Sequence, residues 1–223
     1  MSYRTGPKIV TDGLVLCLDA GDRNSYPLSG NIWYDLSGNN NHFTLENSTW
    51  SSINKGALSI GNNIRIYRNS PVFSSDNNIT IMVFTSRNFS FLEGNVSAHT
   101  RNFFRIESTT AILDQYGPSG AGSRTNLTYT NNVENKIITH KIASNRTANW
   151  FYNGSFFDGG TDETYESSAL TWTEIGNRTV NGNPNYYTTT FNGDVSIVLC
   201  YTRELSDDEI LQNYNALKGR FGL

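Results

Sequence analysis

Residues 191–221, FNGDVSIVLCYTRELSDDEILQNYNALKGRF, decide the fold. Asn192-Gly193 is a turn dipeptide. The β-branched and aromatic run that follows, 195–201, is long enough for one strand. Ser206-Asp-Asp-Glu209 then reads as a capping box, in which Ser206 accepts from the Glu209 amide and Glu209 reaches back to the Ser206 amide. Asp207 and Asp208 suit the positive end of the helix dipole. Ile210, Leu211, Tyr214 and Leu217 recur at helical spacing, and Gly219 suits the stop, which predicts a helix over 206–218. A strand and a short helix thus close the chain.

Working outward, nearly everything else reads as β. Leu14, Leu16 and Leu18 alternate with Val15, Cys17 and Asp19, a first strand with its leucines inward and Cys17 outward. Residues 22–32 are a polar loop, and Asp35 with Gly38 makes a tight turn in which the carboxylate caps amides. Trp33 and Leu36 are expected to plug the edge of a sandwich. Residues 57–60 and 64–67 read as a hairpin-like pair about Gly61-Asn62-Asn63. Residues 79–85, ITIMVFT, are a central strand covered on both faces. Further strands fall at 42–45, 89–93, 103–107, 111–113, 125–130, 137–143, 150–152 and 172–176, at the spacing of an antiparallel sandwich. Asn153-Gly154 is the strongest hairpin signal, and the acidic stretch 159–168 reads as a loop.

The 223 residues carry a net charge of −3, so no basic face for nucleic acid is expected. No apolar run reaches membrane-spanning length. The start MSYRTGPKIVTDG has no apolar leader, which points to synthesis in a cytoplasm. Residues 2–8 are polar and read as an arm. The division expected is an arm at 1–10 and one domain at 11–223. Cys17 and Cys200, the two cysteines, are expected on opposite faces of one sheet as free thiols. Eight Asn-x-Ser/Thr sequons carry no meaning without secretion.

The closing pattern, with Tyr201, Arg203, Leu205, Ser206, Glu209 and Ile210, resembles the C-terminal signature of laminin-G-like, concanavalin A-like jelly-roll domains. The opening 11–42, TDGLVLCLDAGDRNSYPLSGNIWYDLSGNNNH, resembles the start of that family, in the form found in tailed-bacteriophage proteins. The Asn153-Gly154 hairpin and the Ile175-Gly176-Asn177 strand end are similar to family elements as well. The resemblance implies an all-β, two-sheet antiparallel jelly roll with a short C-terminal helix. Its first and last strands should lie side by side.

Glycoside hydrolases share such folds, and one group carries three carboxylates on a single strand, where alternation points them into one cleft. No strand here has that spacing. His42, His99 and His140 share no metal-ligand spacing. No nucleophile elbow or phosphate loop occurs. The expectation is a protein without catalytic residues or an organic cofactor. Many relatives bind calcium at the sandwich edge, for which Asp19, Asp22 and Asp35 with Asn39 offer oxygens. The aspartate-bearing family stretch at 57–67 is here ALSIGNNIRIY, with no aspartate. Turn capping is the competing reading.

The resemblance implies two roles. One is a virion structural or decoration protein at the particle surface, docked to capsid or tail proteins through Tyr3, Arg4 and Lys8 of the arm and open to self-association there. The other is a carbohydrate-binding adhesion module for host-surface glycans. Trp172, Tyr186, Tyr187 and Asn183 would supply its aromatic platform and amide.

Overall fold

A computed structural model of the chain describes residues 7–61, 63–73, 78–85, 89–93, 101–106, 110–116, 122–128, 136–142, 147–161, 172–176 and 193–223. In chain order the strands are β1 Leu14–Asp19, β2 Ile32–Trp33, β3 Phe43–Glu46, β4 Trp50–Ser51, β5 Ala57–Ile60, β6 Arg65–Tyr67, β7 Ile79–Thr85 and β8 Phe89–Glu93. They continue with β9 Arg101–Ile106, β10 Thr110–Tyr116, β11 Gly122–Thr128, β12 Lys136–Ile142, β13 Thr147–Tyr152, β14 Ser155–Thr161, β15 Trp172–Gly176 and β16 Gly193–Tyr201. A 3-10 turn, Ile53–Lys55, precedes β5, and helix α1, Asp207–Phe221, closes the chain.

The strands form two antiparallel sheets. One runs β14-β13-β12-β7-β16-β5-β4, with β1 also on β16, and the other β11-β10-β9-β8-β15-β6-β3-β2. This is the two-layer, jelly-roll-like sandwich with a C-terminal helix that the sequence predicts. The first and last strands pair as expected, Leu16 opposite Cys200 and Leu18 opposite Val198.

Two apolar layers follow from strand alternation. Between the sheets lie Leu16, Leu18, Val83, Val198 and Cys200 of one sheet against Trp33, Phe43, Ile66 and Ile175 of the other. On the outer face of the first sheet, Cys17, Met82, Phe84, Ile197, Leu199 and Tyr201 meet Ile210, Tyr214, Leu217 and Phe221 of α1. The Phe84 and Phe221 rings stack with centroids 3.4 Å apart. β7 is buried along its whole length because it serves both layers.

Several expectations need correction. Residues 57–60 and 64–67 do not pair: β5 hydrogen-bonds to β16 and β4, whereas β6 hydrogen-bonds to β15 and β3. The turn between them crosses from sheet to sheet. Leu36 is 38% exposed, whereas Trp33 is fully buried in the core between the sheets. Leu14 packs on the outer layer and Val15 on the inner one, because a register shift between Leu14 and Leu16 puts Val15 and Leu16 on the same side. β14 runs on to Thr161, so 159–161 is strand rather than loop. The Asn153-Gly154 turn does join β13 to β14, with φ of 49° and 78°, as a primed turn requires.

The helix has its capping box, with Glu209 N–H donating to Ser206 Oγ at 3.2 Å and Ser206 N–H to Glu209 Oε2 at 2.9 Å. It does not stop at Gly219. It runs on to Phe221, whose burial on Phe84 rewards another turn, and Gly222 takes the left-handed cap at φ 72°. Gly219 is therefore an exposed helix-interior residue with no neighbour near a would-be Cβ. Gly219→Ala should raise stability by about 0.5–1 kcal/mol in urea denaturation. A helix ending at 218 would instead be neutral or weakened.

Both thiols are free and buried, Cys17 under α1 and Cys200 between the sheets. Burial, reinforced by Asp19 and Asp35, pushes the Cys17 thiol up to about 12, and burial raises Cys200 well above its ordinary value. Ellman's reagent at pH 8 should find almost no thiol in the folded protein and two after denaturation. Rapid native labelling would refute the burial.

Candidate functional site

The sites expected from the sequence fall into three groups. Asn183, Tyr186 and Tyr187 lie outside the described residues, as do Tyr3 and Arg4. Trp172 opens β15, which hydrogen-bonds to β6 and β8. Lys8 is exposed, but its carbonyl oxygen accepts from Gln212 Nε2 of α1 at 2.8 Å.

The three aspartates weighed as calcium ligands are engaged otherwise. Asp35 Oδ1 accepts from the Cys17 and Ser37 amides at 2.8 and 2.9 Å. Its Oδ2 accepts from Ser37 Oγ at 2.7 Å and the Asn41 amide at 2.9 Å. Four donors on one buried carboxylate make it the hub of the turn, the capping role weighed against the metal. Asp19 pairs with Arg220 and accepts from the Gly21 amide, and Asp22 Oδ1 accepts from Asn24 N and Nδ2. Among the described residues these oxygens serve caps and an ion pair. They do not fit a calcium cage.

Asp19, Asp22, Lys55 and Arg220 line a cleft of about 500 Å³ with Gly21, Asn215 and Leu217. The 3-10 turn and α1 form its walls. Arg220 spans the floor, bonding Asp19 and donating to the Gly56 carbonyl at 3.2 Å. Lys55 Nζ approaches the Gly219 carbonyl at 3.5 Å. With its Asp19 carboxylate paired to the Arg220 guanidinium, the cleft suits hydrogen-bonding recognition better than proton transfer.

A second arrangement joins the two ends of the described chain. Tyr201 Oη donates to the Val10 carbonyl at 3.0 Å, and Asn213 Oδ1 accepts from the Val10 amide at 2.7 Å. Asn213 Nδ2 donates to Tyr201 Oη at 3.0 Å, which closes a buried ring of three hydrogen bonds. Beside it Arg203 forks onto Glu209, at 2.8 and 2.5 Å, and its Nε contacts the Asp12 carboxylate at 2.8 Å. Tyr201, Arg203, Ser206 and Glu209 are the polar positions of the closing pattern. They fasten the helix start and residues 8–12 to β16. Sequence reasoning identified the pattern but missed its partners, since nothing in the sequence ties Val10 to Asn213.

Glu209 at this site and His140, buried in β12, both shape the acid response. Arg203, then the Ser206 amide and hydroxyl, hold the Glu209 carboxyl down at about 2. Burial holds His140, which packs 3.9 Å from the Trp150 ring, neutral down to about 3. Both folded values lie below the unfolded ones, so both contributions are complete at neutral pH and fade as pH falls. The His140 contribution fades from about 6.5 to 3 and that of Glu209 from about 4.5 to 2. Glu209→Gln should cost stability at pH 7 but flatten the stability profile only below about pH 4.5. Urea midpoints from pH 7 to 2.5 test this. An unchanged acid limb would refute the Glu209 assignment.

The chain is a two-sheet, jelly-roll-like β-sandwich with a C-terminal helix. No family model matches the chain, and no curated protein does. Solved structures of the same fold include the binding domain of Paraclostridial Mosquitocidal Protein 1, at 15% identity and a TM-score of 0.62, with 92% of this chain and 52% of that one aligned. The binding domain of botulinum neurotoxin DC in complex with rat synaptotagmin II aligns at 13% identity and 0.66, over 93% and 52%. A botulinum neurotoxin serotype D ligand binding domain in complex with N-acetylneuraminic acid aligns at 13% and 0.63, over 92% and 51%. The chain thus spans about half the length of these structures. At such identities the likeness is one of fold.

Proposed function

We propose that the chain is a non-enzymatic binding module of laminin-G-like, concanavalin A-like type, displayed on a tailed-bacteriophage particle as a structural or decoration protein. One observation supports a binding role above all: more than nine-tenths of the chain shares its sandwich with toxin domains whose names describe binding. The terminal signatures supply the phage reading. In it the protein is made in the host cytoplasm and sits on the virion surface, on capsid or tail proteins. Residues 2–8, with Tyr3, Arg4 and the exposed Lys8, reach the neighbouring particle protein, with adjacent loops completing an interface of roughly 1,200 Å² or more. Self-association on the particle is compatible with this role; nucleic acid, membrane and a bound organic cofactor play no part in it.

Immunogold imaging of intact particles tests the assignment. Labelling on capsid or tail supports it, and particles free of the protein refute it. Deleting residues 2–8 should leave a folded domain with reduced occupancy, while unchanged occupancy would move the interface to the loops.

A carbohydrate-binding adhesion role is the second reading, favoured by the sugar-bound toxin domain among the structures of this fold. Trp172, Asn183, Tyr186 and Tyr187 are its candidate residues. Glycan-array binding lost on Tyr186→Ala with Tyr187→Ala would support it. Release of reducing ends from host polysaccharide would overturn the non-enzymatic reading in either form.

A further inference from the structure

Residues 8–10 lie in a slot on the outer face of the first sheet, between β16 and α1. The polar contacts described for them are to main-chain atoms: Gln212 to the Lys8 carbonyl, Asn213 to the Val10 amide, Tyr201 to the Val10 carbonyl. The Val10 side chain drops into the outer apolar layer, and Ile9 packs beside it. The slot reads main-chain groups together with a β-branched side chain, the logic by which grooves recognise peptides. An identical segment on another molecule presents the same groups.

The connection to β1 is short and exposed. Thr11 and Asp12 face solvent, the Leu14 amide bonds the Thr11 carbonyl at 3.2 Å, and Gly13 sits at φ 73°. The turn is pinned by the Thr202 amide and hydroxyl on the Gly13 carbonyl, and by Arg203 through the Asp12 carbonyl at 3.1 Å and its carboxylate at 2.8 Å. Opening the turn would swing residues 8–10 out as a unit, leaving Asn213 Oδ1 without its donor and the Tyr201 hydroxyl without its acceptor, while Asn213 Nδ2 would still bond Tyr201 Oη. A vacated slot therefore favours refilling by any copy of the segment within reach. Short hinges of this kind are where chains exchange elements.

We infer that the slot is an exchangeable docking site, filled in trans by residues 8–10 of a second copy when copies are crowded together. Three residues make too little area for a stable dimer alone. Exchange therefore depends on local concentration, as when copies are held side by side. The inference does not rest on the particle assignment.

Cysteine capture on the full chain tests it. Lys8→Cys together with Gln212→Cys in one chain should form an internal disulfide on oxidation, which confirms the seat of the segment. Lys8→Cys in one copy mixed with Gln212→Cys in another should give a disulfide-linked heterodimer at high concentration. It should exceed the Lys8→Cys self-dimer by about tenfold. Arg203→Ala should raise that yield several-fold, and a synthetic peptide of residues 6–12 should lower it. A heterodimer no more abundant than the self-dimer, or indifferent to the peptide, overturns exchange. Failure of the internal disulfide overturns the slot itself.

Discussion

Gly56→Ala should lower the unfolding free energy by about 3–5 kcal/mol, among the largest effects of any single methyl group here. The residue sits at φ 128°, a conformation side chains rarely adopt. A Cβ there would overlap the Cα of Gly21 and stand 2.8 Å from the Ala20 carbonyl oxygen. Those atoms are backbone and cannot rotate away. They are also anchored, since Trp50 Nε1 donates to the Ala20 carbonyl at 2.8 Å and Ala20 N–H to the Ser196 carbonyl at 2.9 Å. Relief must come from moving the 3-10 turn, where Asn54 and Lys55 already hold φ of 51° and 59°. That movement would open the Asp19–Arg220 cleft as well. At this chain length the loss corresponds to a midpoint drop of about 10 °C. Gly30→Ala is the control: it has φ 86° but open space around its would-be Cβ. It should cost only about 1 kcal/mol. Equal effects at the two positions would show that conformation alone, not the close approach, sets the cost.

Neither Gly21 nor Gly56 stood out in the sequence, and the reason is physical. A close approach between two loops 35 residues apart leaves no periodic trace. What was legible had a local cause. A nearly continuous apolar run located β7 to the residue, the family-like strand end at Ile175-Gly176 located β15, the Ser206–Glu209 box located the helix start, and Asn153-Gly154 located a turn. The helix end was misplaced because Gly219 looked like a stop, while the long-range stacking of Phe221 on Phe84 decided otherwise. The supposed hairpin at 57–67 failed for a similar reason. Two short strands joined by Gly-Asn-Asn pair in sequence space, but each found a longer partner in a different sheet. Bulges shifted the phase of β1, and no alternation rule anticipates them. At the candidate site, the capping role of Asp35 was readable because Ser37 and Asn41 are near in sequence, whereas its bond from the Cys17 amide, 18 residues away, left no local trace. The Val10–Asn213–Tyr201 ring spans about 200 residues and was invisible.

That ring carries the second large effect. Asn213 is fully buried in a helix, where an amide is neutral to unfavourable unless its hydrogen bonds are met. Asn213→Ala would strand the buried Val10 amide, remove a partner from Tyr201 and leave a small void. The expected loss is about 2–4 kcal/mol. Tyr201→Phe keeps the ring's volume but deprives the Val10 carbonyl and Asn213 Nδ2 of a partner, for about 1–3 kcal/mol. Each single change already breaks the same closed network, so the double variant should lose less than the sum, by about 1 kcal/mol or more. A double-mutant cycle by urea denaturation reads this directly. Strict additivity would mean that the two side chains act separately. Limited proteolysis should then show cleavage near residues 8–12 in both single variants before the sandwich itself opens, because the segment that the ring holds is the first to be released. Cleavage that begins within the sheets would place the loss in the core.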